Sequence, residues 1–224
     1  MNTSATLRIV LTGATGMVGE GVLLTCLEHP AVERVLMVNR RSSPITHPKL
    51  QELLVPDFFS LDAIQNQFQG YNACFFCAGV SSVGKTEVEY TRVTHDLTLH
   101  FARTLQAVAP EMTFIYVSGA MTDSTEKGRT MWARVKGRTE NDLLRVGFRF
   151  AYNFRPGYMH PVPGQRNLLP YYRYIAWLYP IVRVVAPNQV STLRQVSLAM
   201  IHAAQRGYRK SILEVRDINA LVAE

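Results

Sequence analysis

Apolar positions along this chain fall into two alternating patterns. Short, nearly unbroken apolar runs end in glycine or polar residues, and longer stretches carry apolar side chains three and four apart. The first pattern is that of a strand buried on both faces, the second that of a helix with one buried face. "LRIVLTG" (7–13) predicts a first strand, and residues 16–28, with Val18, Val22, Leu23, Cys26 and Leu27, a helix. Strands are expected over 32–40, more weakly over 50–58, and over 71–79, 111–120 and 148–157. Helices are expected over 86–108, where Leu97, Phe101 and Leu105 share a face, and over 130–145. Two further helices and a short strand, 211–217, close the chain. Buried strands joined by helices imply an α/β fold, a doubly wound, mostly parallel sheet covered on both faces. Residues 158–207 break the alternation, are rich in Tyr and Pro, and are expected to form a small C-terminal helical cap within a single domain, 1–224.

Composition narrows the class. The chain has 224 residues, 47% hydrophobic and 18% charged, which suits one folded domain and excludes disorder. The N-terminus has no basic segment leading into an apolar run, so a cytoplasmic protein is expected. The apolar stretch 174–182 lies between Arg173 and Arg183 and contains Pro180. It is far shorter than the ~20 residues of a membrane span; a helix covering a ligand pocket is favoured over peripheral membrane contact. The net charge of +7 admits an anionic ligand. Arg134, Arg138 and Arg145 form a helical stripe of the kind that faces solvent, and no nucleic-acid-binding motif accompanies it, so nucleic acid is disfavoured as a partner. Cys74 and Cys77 have metal-site spacing but lie on a buried strand, where residues three apart face opposite ways; they read as core thiols, and no metal site is expected.

The densest chemistry is "TGATGMVG", residues 12–19. Gly13, Gly16 and Gly19 fall three apart at a strand-to-helix turn. There Gly13 permits the tight turn, Gly16 lets backbone approach a pyrophosphate and Gly19 lets the helix lie close to the sheet. Thr15, Met17 and Val18 complete the turn, and the helix N-terminus favours phosphate. A nicotinamide dinucleotide is the expected cofactor. The second strand ends in Asn39, Arg40 and Arg41. An acid there would bind the 2′-hydroxyl of NAD; two guanidiniums instead favour NADP over NAD. Asp57 and Phe58, ending the third strand, are placed to meet the adenine.

With these motifs in order, the chain resembles the extended and atypical short-chain dehydrogenases/reductases, the NAD-dependent epimerase/dehydratase-like group with its NAD(P)-binding Rossmann fold. The resemblance covers nearly the whole chain. It rests on the glycine turn, "CAG" (77–79), "YVSGA" (116–120), Lys136 and "RPG" (155–157). It implies that Cys77, Ala78, Gly79 and Val80 border the nicotinamide ribose, that Ser118 holds a substrate oxygen, that Lys136 binds ribose hydroxyls, and that Pro156, Gly157 and Tyr158 border the nicotinamide. In such enzymes a tyrosine one helical turn before the lysine moves the proton. Here that position is Trp132. Indole N–H donates a hydrogen bond but does not titrate near neutral pH.

Two functions remain open at this level. One is an NADP-dependent oxidoreductase or epimerase-like enzyme whose proton comes from Ser118, Tyr158, His95, His160 or water. The other is an NADP(H)-binding regulator or sensor without turnover. Tyr171, Tyr172, Tyr174, Trp177 and Tyr179 suggest an apolar or aromatic small-molecule substrate. Nothing in the sequence indicates the oligomeric state.

Overall fold

The computed structural model describes residues 6–168 and 179–223. Seven strands form one sheet in the order β3-β2-β1-β4-β5-β6-β9. They are β1 (Leu7–Thr12), β2 (Val32–Asn39), β3 (Leu50–Leu54), β4 (Ala73–Phe76), β5 (Thr113–Val117), β6 (Phe150–Arg155) and β9 (Ile212–Glu214). Every pairing is parallel. The chain winds outward from β1 through β2 to β3, returns beside β1 as β4, and winds outward the other way. This reversal opens a crevice at the carboxyl ends of β1 and β4.

Alternate strand residues serve opposite faces, as the pleat dictates. Ile9, Leu11, Met37, Phe75, Ile115 and Phe154 pack under α1 (Met17–Glu28) and two late helices. Val10, Leu36, Val38, Phe76, Phe114 and Tyr116 pack with Phe101 and Leu105 of α3 (Leu97–Val108) and Leu143 of α4 (Met131–Leu143). Cys74 lies in the second layer and Cys77 packs against the first, so the two thiols do face apart. The expected helix 86–108 exists in three parts: α2 (Glu87–Thr91), a π-helical turn over Arg92–Asp96, and α3. Thr86 begins it with a reciprocal capping box to Glu89.

After β6 the chain forms β7 (Tyr158–His160), α5 (Tyr179–Val185), β8 (Val190–Thr192), α6 (Leu193–Arg206), β9 and α7 (Val215–Ala223). β7 and β8 pair as a small parallel ribbon. Helix α6 falls inside the segment expected to be cap, yet Leu193, Val196, Ala199, Met200 and Ile201 are buried in the sheet's first layer. A Cβ on Gly21 of α1 would sit 2.2 Å from the Leu193 side chain, so α6 lies directly against α1. The last strand is also shorter than expected: Asp217 belongs to α7, which the strand-like run 211–217 concealed. Tyr171, Tyr172, Tyr174 and Trp177 lie outside the described residues, as does 174–178 of the apolar stretch. No helix among the described residues is long and apolar enough to cross a membrane.

Candidate functional site

The glycine turn has the geometry its sequence requires. Gly13 stands at φ +75°, and a Cβ there would lie 2.6 Å from the Cys77 and Ala78 backbone. A Cβ on Gly19 would lie 2.2 Å from the Gly13 carbonyl oxygen. The turn is thus wedged between α1 and the segment that follows β4, and Ala78 N–H donates to Thr12 Oγ1 at 3.2 Å across the same junction. Gly16 is different. Its Cβ would meet only the Gly13 oxygen, at 3.4 Å, and Gly79 offers open space where a Cβ would stand. Both present bare backbone to the crevice. No side chain caps the N-terminus of α1.

The crevice is a cleft of about 500 Å³. Gly13, Thr15, Gly16, Asn39, Arg40, Arg41, Asp57, Phe58, Cys77, Ala78, Gly79 and Val80 all line it. Asn39 is buried, and its Oδ1 accepts from Ala14 N–H at 3.2 Å. Its Nδ2 is buried without a partner, a donor left over beside the cleft. Asp57 is partly engaged, accepting from Phe59 N–H at 2.9 Å and from the Ser60 hydroxyl at 3.3 Å. Five further lining residues escaped the sequence reading: Pro56, Phe59, Arg92, Val93 and Leu97. Val93 and Leu97 are four apart on the helix after β4, a spacing read only as core. The remaining members of the turn serve the fold: Val18 packs into the first layer, and Met17's carbonyl accepts from Gln165 Nε2. Bare backbone at Gly16 and Gly79, the orphan Asn39 amide and unpaired arginines suit an anionic dinucleotide.

Ser118, Trp132, Lys136 and Tyr158 do not line this cleft among the described residues. Ser118 follows β5 directly and is buried; its hydroxyl donates to Glu140 Oε1 at 2.5 Å, with the Phe154 carbonyl 3.1 Å away. Its one proton is thus committed to a carboxylate in this structure. Glu140, fully buried, is clasped by Arg155 through Nε and Nη2. Arg155 continues to Glu214 and Ser124. Glu140 lies one helical turn after Lys136, and Arg155 opens "RPG"; the i, i+4 spacing was a usable signal that the sequence reading passed over. Lys136 Nζ donates to the Ser118 carbonyl. Burial lowers its ammonium from 10.5 to about 8, partly offset by Glu140. Trp132 is half-buried one turn earlier on α4. Gly137 admits the loop before α4: a Cβ there would overlap the Asp123 carbonyl at 1.8 Å.

His95 is one of the expected proton sources. It sits in the π turn, with Nδ1 2.7 Å from Asp96 and Nε2 2.9 Å from Asp142, so both ring nitrogens are engaged. Pro156 accepts from Ala120 N–H at 2.9 Å, and Gly157 lies under the Gln189 carbonyl, joining the ends of β5, β6 and β8. Tyr158 and His160 follow on β7, each ring against Tyr179, His160 at 4.3 Å between centroids. The His160 Nδ1 is buried without a partner. The arginine stripe of α4 is not simply solvated: Arg134 pairs with Glu87, and Arg145 with Asp142.

Comparison with known proteins agrees with this geometry. The profile of the NAD dependent epimerase/dehydratase family matches residues 9–129. "Protein fmp52, mitochondrial" of Aspergillus clavatus is 30% identical over 167 residues, 71% of this chain and 68% of that protein. Its namesake in Aspergillus fumigatus is 29% identical over the same shares. Among solved structures, the UDP-N-acetylglucosamine 4-epimerase of Methanobrevibacter ruminantium has a TM-score of 0.69 at 15% identity, covering 93% of this chain and 76% of that one. The Bordetella bronchiseptica enzyme WbmF in complex with NAD+ has 0.68 at 13% identity, covering 99% and 78%. These two show the shared fold. The relatives' names overturn the expectation of a cytoplasmic protein: they are called mitochondrial.

Proposed function

Because this chain belongs to the NAD dependent epimerase/dehydratase family, we propose that it is an NADP(H)-dependent oxidoreductase or epimerase-like enzyme acting on a small apolar or aromatic molecule. The observation that carries the cofactor choice is the end of β2. Asn39 stands where an acid would favour NAD, and Arg40 and Arg41 line the cleft without a carboxylate partner. Gly13, Gly16 and the α1 N-terminus would hold the pyrophosphate, Phe58 and Asp57 the adenine, Gly79, Val80 and Lys136 the nicotinamide ribose. The bound cofactor supplies or accepts hydride. The residues of this chain must position substrate and move the proton. With Trp132 at the usual tyrosine position, Ser118 committed to Glu140 and His95 held between two carboxylates, Tyr158, His160 or water is left as the proton-handling group. The names of the relatives support a mitochondrial location.

The locked Ser118 hydroxyl favours a second reading, a binding protein that senses NADP(H) without turnover. One assay separates the two. Purified protein is mixed with NADPH and a panel of small carbonyl compounds, and nicotinamide absorbance is followed. An enzyme consumes NADPH, and Lys136→Ala removes that activity. Tight NADPH binding without consumption across the panel selects the sensor.

A further inference from the structure

Arg92 is the feature of the cleft that the sequence motifs do not contain. It belongs to the π-helical turn between α2 and α3, 52 positions after Arg40, and borders the cleft from a different element. Such single-turn departures from α geometry re-aim side chains and recur at functional sites. The Arg92 guanidinium carbon lies 5.7 Å from the centroid of Phe59, which also lines the cleft. Stacking on a half-exposed ring holds the long side chain in place and leaves its N–H edge free to donate. Two arginines nearby in the fold are paired with carboxylates, Arg134 with Glu87 and Arg145 with Asp142. Arg92 is not. Glu87 and Asp96 border its outer side, but Glu87 is engaged by Arg134 and Asp96 by His95. Among the described residues, Arg40, Arg41 and Arg92 therefore bring three guanidiniums without a carboxylate partner to one cleft, and the Asn39 amide adds an unused donor.

We infer that Arg92, braced on Phe59, is a specificity-determining residue that closes the adenosine end of the cleft and takes the 2′-phosphate of NADP(H) together with Arg40 and Arg41. This rests on the NADP(H) reading above. A phosphate held by arginines of two separate elements is bound by geometry as well as by charge, whereas adjacent arginines on one loop supply only a local field.

The test is calorimetric titration of the full chain with NADPH, NADH and 2′,5′-ADP. Arg92→Ala should weaken NADPH and 2′,5′-ADP roughly tenfold, about 1.4 kcal/mol, and NADH less than twofold. Arg92→Lys, which keeps the charge and loses the fork, should recover only part of the loss. Phe59→Leu should weaken NADPH in the same direction and by a larger factor than NADH. Equal losses for NADPH and NADH in Arg92→Ala, or no loss for either, overturn the assignment. The double variant Arg40→Ala with Arg41→Ala identifies which level fails. If it abolishes a wild-type NADPH preference that Arg92→Ala leaves intact, the NADP(H) reading stands and Arg92 has no part in it. If the wild type shows no such preference, both fall together.

Discussion

Lys136 sits where burial works against its own charge. Its ammonium is lowered from 10.5 to about 8, so the folded chain gives up that proton earlier than the unfolded chain. Between pH 8 and 10.5 the unfolded state binds more protons, and this residue's penalty on stability fades as pH rises through that window. A Lys136→Met variant lacks the effect. Its stability relative to wild type should be most favourable below pH 8 and should decline by pH 10, read from urea melts at pH 7.5 and 10. A difference that does not change with pH refutes the burial account. The neighbouring Glu140 presents the opposite case. It is fully buried, clasped by Arg155 and bonded by Ser118. Removing one partner strands a buried charge, so Glu140→Ala should cost about 3–5 kcal/mol. Arg145→Ala, breaking an exposed pair with Asp142, should cost under about 1 kcal/mol. Comparable losses in the two variants would mean that the Glu140–Arg155 pair is not what anchors Ser118.

At the scale of elements, the glycine turn is where local sequence and global fold agree most closely. Gly19→Ala would press a methyl against the Gly13–Ala14 backbone, with no flexible side chain to give way. Helix α1 must shift, and NADPH affinity should fall at least tenfold. Gly79→Ala meets open space, and its unfolding free energy should stay within about 0.5 kcal/mol of wild type. If thermal melts and titrations show equal behaviour for the two variants, the wedge is not what shapes the site. The strands and helices through β6 were legible because each buries a full face, and burial imprints periodicity on sequence. What was missed lacks that imprint. The π turn at Arg92–Asp96 follows the same apolar spacing as an unbroken helix. Helix α7 hides in 211–217, where "SILEVRD" alternates like a strand until β9 ends at Glu214. Ser118 was assigned by its place after β5; that its hydroxyl turns inward depends on Glu140 and Arg155, which approach from α4 and β6.

For the whole molecule, the order of motifs carried more than any motif alone. The turn after β1, the end of β4, the end of β5 and the start of β7 converge on the carboxyl edge of one parallel sheet because right-handed crossovers leave them nowhere else to go. Location had no such physical imprint, and the relatives called mitochondrial corrected it. The cofactor is where the account commits most. Arg40, Arg41 and the orphan Asn39 amide face a cleft without an acid at the end of β2. Charge-assisted hydrogen bonds to a 2′-phosphate contribute about 1.5–3 kcal/mol, roughly ten- to a hundredfold in affinity. The most direct measurement is therefore equilibrium titration of the wild-type chain with NADPH and NADH under identical low-salt conditions. The structure predicts NADPH binding at least tenfold tighter, with the advantage shrinking as salt screens the phosphate. Equal affinities, or tighter NADH binding, would contradict it.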